Sequence, residues 1–374
     1  MTATNLLRDL IRIPSVNPDG DPGTALTGEN ECAHFVAEVL RSSGAETLVE
    51  DVLPGRPNVV GRFPSSRAGK PRLLLAPHTD TVSVGGMTID PFAATLSDGK
   101  IWGRGATDTK GSMAAMLVAL QESRDILPSL SHEIWFSGLM GEEAGQQGAK
   151  ALAAREKFDL AIVGEPTRLQ VVHTHKGAAW LAVRAHGRAA HASTPQNGEN
   201  AIEKMLDCLG LLRRKLQADF DSRSDQTLGK PTFNIGTIRG GTKINIVPDA
   251  CEASVDIRTI PKQDLTALLE SIENRCPGVQ IERKRTSGPL MTDPALPLIK
   301  VLQSCGTLCT GAPWFCDAAV FAAAGTPAVA LGPGSIEQAH TADEWISVAD
   351  LEAGVAFFKS FLRSLDAQAL SRSH

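Results

Sequence analysis

A chain of 374 residues with 42% hydrophobic and 21% charged side chains can bury a sizeable core, and its length favours two domains over one. The formal net charge of −5 gives no basic footprint and no Lys/Arg block stands out, which sets nucleic acid aside as a partner. No apolar run is long enough to span a membrane, the start MTATNLLRDLIRIPS lacks the apolar segment of a signal peptide, and seven scattered cysteines suit reduced thiols, so a cytoplasmic protein is expected.

In chain order, residues 29–42 have helical spacing, and residues 72–76 form a short apolar run ending in the polar PHTD. Residues 112–120 are a helical apolar run, residues 133–139 read as a strand ending in MGEE, and residues 160–163 as a strand ending in GEP. This alternation predicts an α/β sheet with helices on its faces. From about Lys176 the texture changes. A strand (AAWLAVRAHG), a helix over 200–216, strands over 233–238 and 252–257, a helix over 263–274 and a strand over 279–284 predict a ferredoxin-like α+β sandwich. After about Ser287 the α/β pattern resumes, with a helix over 298–308 and a buried strand over 327–331. The expected organisation is a first domain, residues 1–174 and 286–374, interrupted by a second, residues 175–285.

Ligands bind outside the carboxyl ends of strands in open α/β sheets, and three predicted strand ends deliver metal-type ligands. LLLAPHTD gives His78 and Asp80. Residues i and i+2 of an extended segment point the same way, so Asp80 can accept the second ring N–H of His78 and fix its tautomer. WFSGLMGEE sets Glu142 beside Glu143, adjacent carboxylates whose repulsion a cation relieves, and Gly141 and Gly145 suggest close approach to something bound. LAIVGEP ends in Glu165.

Between these, GRGATDTKGS resembles the opening of a dinucleotide fingerprint, but Asp108 stands where the third glycine belongs and would repel a pyrophosphate. An aspartate in such a tight loop suits two cations instead. GPGSIEQAHTADEW presents His340 after another predicted strand. Two histidines and three carboxylates are a donor set suited to zinc, with cobalt or manganese possible. Cys305, Cys309 and Cys316 lack the paired CxxC spacing of a structural zinc site, and ordinary packing is expected there.

Five motifs in order, PHTDTV, GRGATDTKG, GEEAG, GEPT and QAHTADE, resemble the di-zinc aminoacylase and deacylase metallopeptidases, a family that includes acetylornithine deacetylases, succinyl-diaminopimelate desuccinylases and glutamate-releasing carboxypeptidases. The resemblance covers nearly the whole chain. It implies a zinc-peptidase-like α/β catalytic domain, an inserted lid through which the chain forms a homodimer, and two Zn2+ per subunit, with Co2+ or Mn2+ as substitutes. One zinc would be held by His78 and Glu165, the other by Glu143 and His340, with Asp108 bridging both. Asp80 would orient His78, and Glu142 would be the general base.

The resemblance further implies that His191, in GRAAHAST, reaches the partner subunit's active site and stabilises the oxyanion. Asn245 and Arg258 match lid positions that contact substrate, with Gly332 and Gly334 of LGPGS also on the substrate side. The family carries Asp or Met after the bridging aspartate, often across a cis peptide, where this chain has Thr109. The implied reaction is hydrolysis of an N-acyl amino acid, N-acetyl above all, because LGPGSIEQAHTADEW is most similar to acetylornithine deacetylases. Succinyl-diaminopimelate, dipeptides and tripeptides are alternatives within the family. A non-catalytic binding homologue is the alternative of another class; it would have lost a ligand or the base, and none is missing.

Overall fold

A computed structural model describes residues 1–19, 26–66, 69–264, 266–267, 269–270 and 274–371, with side chains through Leu365. The chain divides into two compact units: residues 1–173 with 292–310 and 316–374, and residues 174–291 with 311–315.

In the first unit, the strands Glu133–Gly138, Arg72–Ala76, Leu160–Val163 and Ala328–Ala330 lie side by side in that order, all parallel. They are buried almost throughout, and short continuous apolar runs of this kind are what a parallel sheet covered on both faces requires. Next to Glu133–Gly138 stands an antiparallel hairpin, Glu46–Leu53 and Arg56–Phe63, turning at Gly55 with φ +69°. Its outer strand, ETLVEDVL, mixes charge into both faces and gives little strand signal by pattern alone.

The helix Lys110–Glu122 is buried at every position from Lys110 to Leu120, so its sequence shows no amphipathic stripe. It packs against Ala3–Arg12 and Val348–Ser371. The buried Lys110 donates from Nζ to the carbonyls of Leu10 and Ile13, at 3.0 and 2.7 Å. A small antiparallel sheet, Trp345–Ser347, Lys100–Trp102 and Thr95–Ser97, sets Trp345 opposite Trp102. Pro297 starts the helix Pro297–Ser304, and the chain turns out at Gly306 with φ +90°, so this helix ends before residue 308.

The second unit has an antiparallel sheet in the order Thr232–Gly240, Ala250–Thr259, Gly177–His186, Val279–Ser287. The helix Ala201–Asp221 begins at Asn200, whose side chain accepts from the backbone N–H groups of Ile202 and Glu203. Its Met205, Cys208, Leu209, Leu212, Leu216 and Phe220 recur at helical spacing and meet Leu181, Val183, Ala253, Val255 and Ile257 of the sheet. The order of these strands and this helix is that of a ferredoxin-like sandwich. The helix expected over 263–274 falls partly outside the described residues. Among the described residues no helix is long and apolar enough to cross a membrane.

Candidate metal centre

Parallel strands end together, and this sheet brings its carboxyl ends to one edge. His78 follows Arg72–Ala76, Glu142 and Glu143 follow Glu133–Gly138, and Glu165 follows Leu160–Val163. Asp108 lies between Lys100–Trp102 and the helix Lys110–Glu122. His340 lies between Ala328–Ala330 and Trp345–Ser347, with φ +61°. The peptide from Asp108 to Thr109 is cis.

His78 Nε2 is 3.1 Å from Asp108 Oδ1, while His340 Nε2 is 3.2 Å from both Asp108 Oδ2 and Glu143 Oε1. Two sets of donor atoms follow, each within 4.8 Å: His78, Asp108 and Glu165, and Asp108, Glu143 and His340. Asp108 belongs to both. His78, Asp108, Glu142 and Glu165 are buried, whereas the His340 side chain is 52% exposed.

The second ring nitrogen of His78, Nδ1, lies 2.9 Å from the backbone carbonyl oxygen of Asp80 and 3.5 Å from its Oδ1, so the nearer acceptor is the main chain. The Asp80 carboxylate also accepts from the backbone N–H groups of Glu142 and Glu143, both at 3.0 Å, and from Asn17 Nδ2 at 2.8 Å. One residue thus fixes a histidine ring and the backbone of the acidic pair. Gly141 and Gly145 adopt φ of +73° and +107° and pack against Gln147, which accounts for both glycines without a bound group.

Burial, then the fields of Asp317 and Glu165, push the Glu142 carboxyl well above the usual carboxylate range. Burial and then Asp108 do the same to Glu165, and burial raises Glu143 against the hydrogen bond from His340. Burial would also raise Asp108, but hydrogen bonds from His340 and His78 hold it below that range. The bonds to Asp108 and Glu143 push His340 up to about 11. Burial opposes charging of His78, yet Asp108 and Asp80 carry it well above the usual imidazole value.

Protons here do what a cation does: they cancel repulsion among carboxylates that the fold forces together. Glu165 Oε1 is buried with no hydrogen-bond donor from the protein, an acceptor shaped for something else. Imidazole nitrogens and carboxylate oxygens in two adjoining sets fit a pair of divalent cations, and metal entry would displace protons.

His191, Asn245 and Arg258 lie in the second unit. His191 and Asn245 are exposed neighbours: Ala192 N donates to the Asn245 carbonyl, and His191 Nδ1 lies 2.7 Å from Ser193 Oγ. Arg258 donates from Nε to Asp256 and lies over the Phe315 ring, 5.6 Å from its centroid. Gly332 and Gly334 answer to close packing. A Cβ at Gly332 would stand 2.1 Å from Ser112 Oγ and 2.6 Å from the Glu165 carbonyl, and one at Gly334 2.4 Å from Thr107 Oγ1. Cys316 is buried, and Cys305 and Cys309 pack partly buried against the core of the first unit.

Sequence reasoning missed Asn17, Asp317 and Glu344, all buried and all acting on the site. A lone acid between apolar neighbours, in FCDAAV, was the available signal for Asp317; Asn17 gave none.

A sequence profile of peptidase family M20/M25/M40 matches residues 74–364. An acetylornithine deacetylase of Proteus mirabilis (strain HI4320) is 35% identical over 370 residues, covering 94% of this chain and 93% of that protein. Among solved structures, the fold is similar to an M20 family metallo-carboxypeptidase, Sso-CP2 of Sulfolobus solfataricus, with TM-score 0.81, 19% identity and 98% and 100% of the two chains covered. It is also similar to the YXEP protein of Bacillus subtilis, described as a dinuclear metal binding peptidase from M20 family, with TM-score 0.66, 15% identity and 98% and 97% covered.

Proposed function

The chain belongs to peptidase family M20/M25/M40, and we propose that it is a metal-dependent amidohydrolase that removes a small acyl group, acetyl above all, from the amino nitrogen of an amino acid. The observation that carries this is Asp108, shared between two donor sets, with the buried carboxyl of Glu142 beside them. His78, Asp108 and Glu165 would hold one cation, and Asp108, Glu143 and His340 the other, zinc in the first instance with cobalt or manganese able to replace it. Bound divalent cations supply polarisation, lowering the pKa of water from 15.7 toward about 7 and drawing charge onto a carbonyl oxygen.

Glu142 then needs only to take a proton from water as it attacks the amide carbonyl, and to return it to the departing nitrogen. Its carboxyl is buried beside both donor sets, where it can serve both halves of that task. The C–N bond breaks, leaving a carboxylate and a free amine. His191 serves the partner subunit's site as a donor to the oxyanion, Arg258 offers a guanidinium to a substrate α-carboxylate, and Asn245, Gly332 and Gly334 are assigned to the substrate side by the family motifs. The P. mirabilis relative is an acetylornithine deacetylase, which supports an N-acetyl substrate. The chain acts in the cytoplasm as a homodimer formed through the second unit, whose edge strand Thr232–Gly240 exposes Ile235 and Ile238.

The test is release of free amine from N-acetyl and N-succinyl amino acids and dipeptides by chelator-stripped protein, with and without added zinc or cobalt. Metal-restored hydrolysis confined to N-acetyl amino acids is expected. Two cations bound per chain with no hydrolysis of any substrate would instead favour a binding homologue.

A further inference from the structure

Both segments that complete the metal centre from outside the parallel strands meet at one buried acid. Glu344 is 0% exposed, four residues beyond His340, and its two oxygens receive four donors. Oε2 accepts from Arg104 Nη1 at 2.7 Å and Gly105 N at 3.0 Å. Oε1 accepts from Thr107 N at 2.9 Å and from Asp108 N at 3.0 Å. The Glu344 backbone carbonyl takes a fifth, from Gly103 N at 3.0 Å. Arg104 is buried as well, and its Nε donates to the Ser83 carbonyl. The loop 103–108 is therefore wrapped around this side chain.

We propose that Glu344 is the positioning residue of the metal centre, setting the loop that carries Asp108 against the loop that carries His340 so that the two Asp108 oxygens face His78 and His340. It touches neither cation nor substrate, and the proposal rests on the two-metal reading above. A carboxylate is required because every group around it donates. Glutamine at this position would turn an amide NH2 toward one pair of donors whichever way it lay, either Arg104 with Gly105 or Thr107 with Asp108. The loop must then move, and Asp108 moves with it. Because Asp108 belongs to both donor sets, both cations should weaken together, unlike a change at Glu165, which belongs to one.

The experiment is competitive chelator titration of zinc into metal-stripped protein, comparing the unchanged chain with Glu344→Gln and Glu344→Asp, alongside far-UV circular dichroism and thermal melting. Glu344→Gln should stay folded at the assay temperature and bind both ions about 10- to 100-fold more weakly, the range seen when a partner of a ligand is removed. Glu344→Asp keeps the charge beside Arg104 but is one methylene too short to reach all four donors, and should show a smaller loss at both sites. It decides the matter if the glutamine variant does not fold. A variant that melts earlier yet, while folded, binds both ions within about twofold of the unchanged chain would overturn the proposal, since a merely structural role has that result. If the unchanged chain binds no zinc, the two-metal reading fails and takes this one with it; two ions bound by the unchanged chain with equal affinity in the variants sink this one alone.

Discussion

His175 should make the stability of the protein depend on pH in a window set by its burial. The ring is fully buried; its Nδ1–H donates to the Lys176 carbonyl at 2.9 Å, and Nε2 has no hydrogen-bond partner. Burial lowers its pKa from 6.5 to about 4, against a small opposing effect of the Lys176 carbonyl. Between those values the unfolded chain binds a proton that the folded chain refuses. Stability therefore rises with pH across the window and is lost as pH falls. At about pH 5 the loss relative to neutral pH is (6.5 − 5) × 1.36, or about 2 kcal/mol. The variant His175→Asn retains an N–H donor near the position of Nδ1 but has no titratable ring. Urea unfolding of chelator-stripped protein at about pH 7 and about pH 5 gives a stability difference for each chain. Subtracting the two cancels the cost of the smaller side chain and the shared titration of other groups. The unchanged chain should lose about 2 kcal/mol more than the variant on acidification. A double difference under about 0.5 kcal/mol would show that His175 is solvated or charged in the folded protein and would refute the reasoning.

Glu142→Ala should retain two cations per chain by metal analysis while hydrolysis falls about 100- to 10,000-fold, the contribution of a general base; unchanged turnover would remove Glu142 from that role. Asp108→Asn should lose both cations on dialysis, because one side chain serves both donor sets; retention of one ion at full occupancy would argue against the sharing. In Gly332→Ala the added methyl meets Ser112 Oγ and the Glu165 carbonyl, and backbone on one side leaves little room to yield. Urea unfolding should register a loss of about 1–3 kcal/mol, and a loss below about 0.5 kcal/mol would mean that the two segments are not held together there.

The central strands were legible because each is a short apolar run stopped abruptly by polar residues: LLLA before PHTD, IWFSG before LMGEE, LAIV before GEP. The second unit was legible because Ala250–Thr259 alternates buried with exposed side chains and Ala201–Asp221 repeats its apolar residues at helical spacing. The hairpin Glu46–Leu53 and Arg56–Phe63 was not, since charge falls on both faces of its outer strand and only pairing with Glu133–Gly138 makes it part of the sheet. Nor did spacing reveal how Asp80 works. The i, i+2 rule put its carboxylate on His78, and Oδ1 does lie 3.5 Å from Nδ1, but the main-chain carbonyl is the nearer acceptor and the carboxylate also holds the Glu142 and Glu143 amides.

By itself the sequence determined which residue types stand at the ends of which strands, because hydrophobic runs and the polar residues that stop them are local properties. It thereby named the candidate metal-binding residues and the class of chemistry. What only the tertiary structure decided was how closely their donor atoms gather, and what keeps them in place. Asp108 and His340 are 232 positions apart, and their approach depends on the pairing of Trp345 with Trp102 and on a carboxylate at Glu344 surrounded by N–H groups of another loop. Contacts between such distant segments follow from the packing of the whole unit, and no local pattern records them.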